Sequence, residues 1–271
     1  MWAKPSLFAA VFVLLLTMGG RAEAQAQPTE AYPVWLSPSF GLDSLDQIDA
    51  LLEQPIFPDE NEFRLFVGIG KNRRTEFARS CADIRIFEAE GSGALDSPDV
   101  YLWSLVGDRC LPIENLREAR PAKRSFVRDF VLDADALDYL PAMVTLSPAC
   151  EELCRLYVAN VKRIPWNEYA TGEIQNVTVK RNHEFKVETE FDDIEIEILA
   201  RADFNDDGVE DLYLDVTVKS KEGRWGDSAL FFVTRESSDG VLWVLNADKH
   251  ICSPVSYRPC DTDYDEPPAL R

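Results

Sequence analysis

The segment DFNDDGVEDL, residues 203–212, carries oxygen-bearing side chains at alternate positions: Asp203, Asn205 and Asp207, then Gly208, then Asp211. Carboxylate and amide oxygens are the donors a hard divalent cation prefers, and calcium collects six to eight of them. Counting Asp203 as position 1, the donors fall at 1, 3, 5 and 9, with Gly208 at 6 and Val209 at 7. Alternate side chains project inward from such a loop, and the backbone carbonyl at position 7 adds another oxygen. Glycine at position 6 permits the sharp turn that a residue with a Cβ resists. The spacing therefore predicts one bound Ca2+, structural rather than reactive, of the weakly held kind found in secreted modules at about 10⁻⁴ to 10⁻³ M. The alternative is a polar hairpin turn whose Asx side chains bond their own backbone. Glu210 and Asp215 stand close enough in sequence to add charge or a further ligand, or simply to be solvated.

A calcium loop between two helices needs a bidentate Glu at position 12, and Leu214 stands there. The flanks, ILARADF and LYLDVTV, are strand-like. The stretch resembles the calcium loops of FG-GAP (integrin-type) and VCBS-like repeats, which carry DxDxDGxxD or DxNxDGxxD between two strands. That resemblance covers about thirty residues and implies Asp203, Asn205, Asp207, Asp211 and the carbonyl of Val209 as ligands. One copy is present, without FG or GAP signatures, which argues against a multi-bladed propeller.

Other chemistries find little purchase. The two histidines, His183 and His250, are unaccompanied by a GxSxG elbow, and neither has a recognisable nucleophile partner. His183, in the turn-like RNHE, is expected to be exposed. GIGKN at 68–72 lacks phosphate-loop spacing and reads as a turn. Asn176-Val177-Thr178 matches a glycan acceptor. Trp103, Phe231, Phe232 and Trp243 read as core or strand-face packing, whereas Trp225, between Gly223 and Gly226 in KEGRWGDS, reads as an exposed anchor for a partner. With so many acids, no carboxylate pair for glycoside hydrolysis stands out.

The elements that must carry the loop come next. Ser44 and Gln47 occupy capping-box positions ahead of Ile48, Leu51 and Leu52, and Pro55 ends that helix. Residues 62–70, 82–90, 100–108 and 125–133 are short, rich in β-branched or aromatic residues and bounded by Gly, Asp or Pro, which predicts four strands. A brief helical piece, DADALDYL, precedes a helix expected from Ser147 as N-cap with Pro148 at N1 and Glu151 and Glu152 in the early turns. Beyond about residue 170 strand signals take over: ATGEIQNVTVKRN, EFKVETEF, IEIEILARADF, DLYLDVTVKS, SALFFVTRES and GVLWVLNADK. They predict an antiparallel sheet or sandwich. The expected fold is α+β, with a disulfide-containing mixed region over 27–170, a β-rich region over 171–262 bearing the loop, and a flexible acidic tail over 263–271. A single continuous domain is the alternative to two. No repeat of solenoid or propeller length is visible.

Lys4, the apolar run Leu7–Met18 and Ala22-Glu23-Ala24 describe a secretory signal peptide over 1–24, cleaved after Ala24 or Ala26. Its apolar run is short for a membrane span, so none is expected after cleavage. Roughly 245 residues then remain, enough for one large or two small cores. Without Lys4, Arg21 and Glu23 there are 26 basic and 47 acidic residues, a formal charge of −21. Such a balance argues against nucleic acid and anionic membrane surfaces. Six cysteines, Cys81, Cys110, Cys150, Cys154, Cys252 and Cys260, point to disulfides in an oxidising compartment rather than zinc. Cys252 with Cys260 is the favoured pair. Cys150 and Cys154 suit each other poorly on one helix face and are as readily bridged to Cys81 and Cys110. The expectation is a secreted or periplasmic, calcium-binding, non-enzymatic binding or interaction module. Its partner would be another secreted or envelope protein, as for an inhibitor or immunity-type protein. A secreted hydrolase using carboxylates is the alternative.

Overall fold

In a computed structural model of the chain, residues 31–56, 63–67, 74–89, 109–147, 149–170, 174–223 and 226–247 are described. Their strands are β1 (Trp35–Leu36), β2 (Phe63–Val67), β3 (Arg74–Ala78), β4 (Arg124–Ser125), β5 (Ile174–Arg181), β6 (Glu184–Thr189), β7 (Asp192–Ala202), β8 (Val209–Ser220), β9 (Gly226–Thr234) and β10 (Trp243–Val244). The helices are α1 (Ile48–Leu52), α2 (Cys81–Ala89), α3 over 109–115, α4 (Cys150–Val161) and α5 (Trp166–Tyr169). Helices therefore accompany a large, mainly antiparallel sheet with the order β10-β9-β8-β7-β6-β5. β1 adds antiparallel to β7 and β4 adds parallel to the start of β8. β2 and β3 form a separate hairpin. No helix among the described residues is long and apolar enough to cross a membrane.

All six strands expected after residue 170 form, although the last is only Trp243–Val244. Alternation sets their faces, because successive side chains on a strand point to opposite sides. Ile194, Ile196 and Ile198 of β7 stand opposite Val218, Val216 and Leu214 of β8, and Leu214 stands opposite Phe231 of β9. That face packs against Val127, Leu140, Met143, Leu156 and Trp166, all contributed from before residue 170. β10 is held by the buried amide of Asn160 on α4, which accepts from Val244 N–H at 2.7 Å and donates to Val244 C=O at 3.1 Å.

The pairing of β7 with β8 shifts register between Ile198 and Ala200. A bulge of this kind turns the following residues to the other face. Ile198 consequently lies in the first core, while Leu199, Ala200 and Tyr213 lie in a second one with Ile48, Leu52 and Ile84. The same shift aims Arg201 back over the first face. Trp103 lies outside the described residues, whereas Phe231 is buried in the first core, Phe232 packs on the second and Trp243 is partly buried.

Two of the four strands expected in the first region are not strands. Residues 82–90 carry the isoleucines of a strand, yet Cys81–Ala89 is helix α2. Ser80 and Asp83 cap it reciprocally: Asp83 Oδ2 accepts from Ser80 N–H at 3.1 Å and Ser80 Oγ accepts from Asp83 N–H at 3.2 Å. Ile84 is buried while Ile86 is 57% exposed, a separation that a helix makes and a strand does not. Over 125–133 only Arg124–Ser125 pairs as strand. The carbonyls that a ladder would use are taken by guanidinium groups: Arg235 Nε donates to Phe126 O, and Arg201 donates to Val127 O, Arg128 O and Phe130 O. The 62–70 strand is found as β2, and 100–108 lies outside the described residues. DADALDYL is a 3-10 turn, Ala134–Asp138, capped by Asp133. The helix expected from Ser147 begins at Cys150, with Ser147 Oγ accepting from Ala149 N–H. Ser44 makes no side-chain cap; Gln47 instead accepts from Asp43 N–H at 2.8 Å.

Cys81 and Cys110 are bonded to each other, with their Cα atoms 5.5 Å apart. Neither therefore bridges to α4, as had been one expectation. Both sit in the second core, where the bond ties α2 to α3. Cys154 is also disulfide-bonded. Cys252 and Cys260 lie outside the described residues, as do the expected signal peptide, the acidic tail, GIGKN, Trp225 and His250.

Candidate metal centre

The 203–208 loop joins β7 to β8. Asp203 is held at its root by a two-way backbone bridge with Arg120, at 2.8 and 3.0 Å. Gly208 has φ of 82°, and Asp206 also adopts a left-handed backbone with φ of 62°. Asp tolerates that region because its short polar side chain bonds locally, and glycine because it has no Cβ. Gly208 O accepts from both Lys123 N–H at 2.9 Å and Arg124 N–H at 3.0 Å, which pins the loop to β4.

The side-chain oxygens turn inward onto the loop's own amides. Asp203, 3% exposed, accepts from Asp207 N–H at 3.2 Å and Gly208 N–H at 2.7 Å. Asn205 Oδ1 accepts from Asp207 N–H at 3.1 Å, and Asp207 Oδ1 accepts from Val209 N–H at 2.7 Å. Asn205 Nδ2 donates to Asp207 Oδ2 at 3.0 Å. These are the Asx bonds of the alternative reading. Among the described residues, no three acidic, His or Cys side chains are gathered closely enough to share a metal ion.

Asp211 differs from the other three. It is 0% exposed on β8; its Oδ2 accepts from Phe204 N–H at 3.0 Å, Thr234 adds a side-chain hydrogen bond, and its Oδ1 has no partner among the described residues. Burial is the main cause that pushes this carboxyl up to about 7. The hydrogen bonds from Thr234 and Phe204 oppose the rise, while the charges of Asp207 and Asp203 add to it. A buried, unpaired carboxylate oxygen is expensive to leave unsatisfied.

The donor set suits a hard cation. It is all oxygen and, among the described residues, it contains one buried acceptor left unmet, although its three carboxylates do not converge closely enough to share an ion. Each carboxylate oxygen that accepts an N–H retains a second lone pair for another partner. The five residues that would hold the ion are Asp203, Asn205, Asp207, Asp211 and, through its carbonyl, Val209. Glu210 does not join them. It faces the opposite side of β8, where its buried carboxylate accepts from Ser125 Oγ at 2.5 Å and pairs with Arg128 at 3.3 Å. Asp215 lies further along β8, directly opposite Glu197 of β7.

The roles of Thr234 and Phe204 at Asp211 were not anticipated. Thr234 comes from the neighbouring strand, and nothing in its local sequence marks it. The turning away of Glu210 was legible in principle, since it alternates with Asp211. His183 is half-buried rather than exposed, edge-on to Trp35 with ring centroids 5.8 Å apart, and its Nε2 is buried without a hydrogen-bond partner among the described residues. Glu197 and Asp215 line a cleft of about 420 Å3 with Phe40, Leu51, Ile56 and Arg109, and Ser37 Oγ donates to Glu197 Oε1 at 2.7 Å. Compared with protein-family models, with curated proteins and with solved structures, the chain finds no match in any of the three.

Proposed function

We propose that this chain is an extracytoplasmic, non-enzymatic binding module whose sheet is stapled by one Ca2+ in the 203–211 loop. The observation that carries the metal is Asp211 Oδ1, a fully buried acceptor beside Asp203 and Asp207 that has no partner among the described residues. A cation there would satisfy that oxygen and neutralise carboxylates that otherwise repel one another. Export is supported by the signal-like N-terminus and by the Cys81–Cys110 disulfide, since such bonds persist in oxidising compartments. Recognition of another secreted or envelope protein is the role we assign, in the manner of an inhibitor or immunity-type protein.

Thermal melting with calcium and with chelator tests the staple. At about a hundred times its dissociation constant, calcium adds about 2.7 kcal/mol to the folded state. The melting temperature of the wild type should rise accordingly, and Asp203→Ala combined with Asp207→Ala should abolish the response. An unchanged wild-type melt, or an equal response in the double variant, removes the metal. For the binding role, the tagged protein should recover a stoichiometric partner from its own envelope extract; recovery of none counts against it.

A hydrolase is a second reading, favoured by the placement of Glu197 directly across from Asp215 in a cleft. Two acids flanking one site are the equipment of glycoside hydrolysis. That reading requires the purified protein to cleave a glycan and to lose the activity in Glu197→Gln.

A further inference from the structure

Arg235, the residue after β9, is 7% exposed yet forms no ion pair within 4.0 Å among the described residues. Its Nε donates to Phe126 O at 2.6 Å. Its guanidinium lies 5.6 Å from the Phe130 ring centroid and 6.0 Å from that of Tyr139. Burial lowers its pKa from the usual arginine value, opposed by Tyr139 and Asp239. The two terminal amino groups of the fork make no hydrogen bond among the described residues. Neither amino group is fully sealed from solvent, and a planar fork with donors to spare matches two oxygens at once.

The fork lines a cleft of about 400 Å3 whose walls include Phe126, Phe130, Tyr139 and Ser238. That is the size of a site for a small organic molecule. The wall over 126–130 is fixed because Arg201 and Arg235 hold its carbonyls. The other cation of the lining, Arg128, is already paired with Glu210. Asp133 caps its own turn, Asp129 and Asp135 stand beside the cleft, and the charge of Asp239 also reaches Arg235. These carboxylates, on a chain of net charge −20, oppose any anion but oppose a dianion such as phosphate about twice as strongly as a single carboxylate, whose one charge Arg235 offsets.

We propose that this cleft binds a small organic monocarboxylate, with the Arg235 fork gripping the carboxylate and the rings of Phe126, Phe130 and Tyr139 contacting an aromatic or apolar body. The cleft shares no lining residue with the calcium loop or with the Glu197–Asp215 cleft. Phenylacetate is the probe, titrated by NMR into the mature chain, with benzylamine and inorganic phosphate as comparisons, in calcium and in chelator. Saturable phenylacetate binding should appear in both buffers, weakened about tenfold or more in Arg235→Gln. Ser238→Trp, an exposed position at the cleft, should weaken it similarly while leaving the circular dichroism spectrum unchanged, and it decides the matter if Arg235→Gln does not fold. Absence of saturation overturns the proposal, as does equal affinity in Ser238→Trp or binding of benzylamine or phosphate as tight as phenylacetate. Loss of calcium-dependent melting with phenylacetate binding intact would remove the staple alone.

Discussion

Asp211 concentrates the chemistry of the loop at one atom. Without a bound cation, burial pushes its carboxyl up to about 7, whereas an unfolded Asp titrates near about 3.9. The folded value is the higher one, so folding favours the protonated form. Its contribution to stability is fully present below about pH 4 and is lost as pH rises through 7. Asp211→Asn keeps the shape without the titration. The urea midpoint of this variant relative to wild type, both in chelator, should therefore climb between pH 5 and pH 8. Saturating calcium at pH 8 should reverse the order, because an amide is a weaker ligand than a carboxylate. A gap between the two proteins that ignores pH would sink this account of Asp211. At the same scale, Gly208 and the Asx spacing were readable from DFNDDGVEDL, because glycine with positive φ and short oxygen-bearing side chains are local necessities of such a turn. The bond from Thr234 was not, since it depends on which strand lies next to β8.

Elements were legible where local pattern and tertiary setting agree. β6 alternates cleanly, and β7 does so up to the bulge after Ile198; both are found where strands were expected. ADIRIFEAE looked like a strand by its isoleucines, but its Ser80 and Asp83 form a cap that decides for helix α2. The failure over 125–133 has a different cause, because no residue within it announces that distant arginines will take its carbonyls. Arg201 alone holds Val127 O, Arg128 O and Phe130 O. Arg201→Met should thus cost about 2 kcal/mol or more through acceptors left without donors. Hydrogen exchange should quicken within 126–132, where Leu132 N–H is bonded to Asn182 O, well beyond its change in β6. Uniform acceleration throughout the sheet would show that Arg201 supports the fold generally and not this segment.

At the scale of the molecule, the change of composition near residue 170 does not coincide with any gap in the packing. Val127, Leu140 and Trp166 from one side share a core with Ile196, Leu214 and Phe231 from the other, and β1 and β4 extend the sheet built by the later strands. Composition registers what each segment is made of, and it is blind to β4 lying parallel to β8 or to the bulge after Ile198 that gives the sheet a second core. A shared core makes the two stretches unfold together, so calorimetry should show one transition with equal calorimetric and van 't Hoff enthalpies. Trp166→Ala empties a fully buried site on the helical side and should cost about 3–5 kcal/mol. Its effect should be equal whether unfolding is followed by backbone signals from α4 or from β6, because neither side has a core without the other. Two transitions, of which Trp166→Ala moves only one, would instead mean that the β-rich stretch stands on its own and that the packing of Trp166 against the sheet contributes little to holding it.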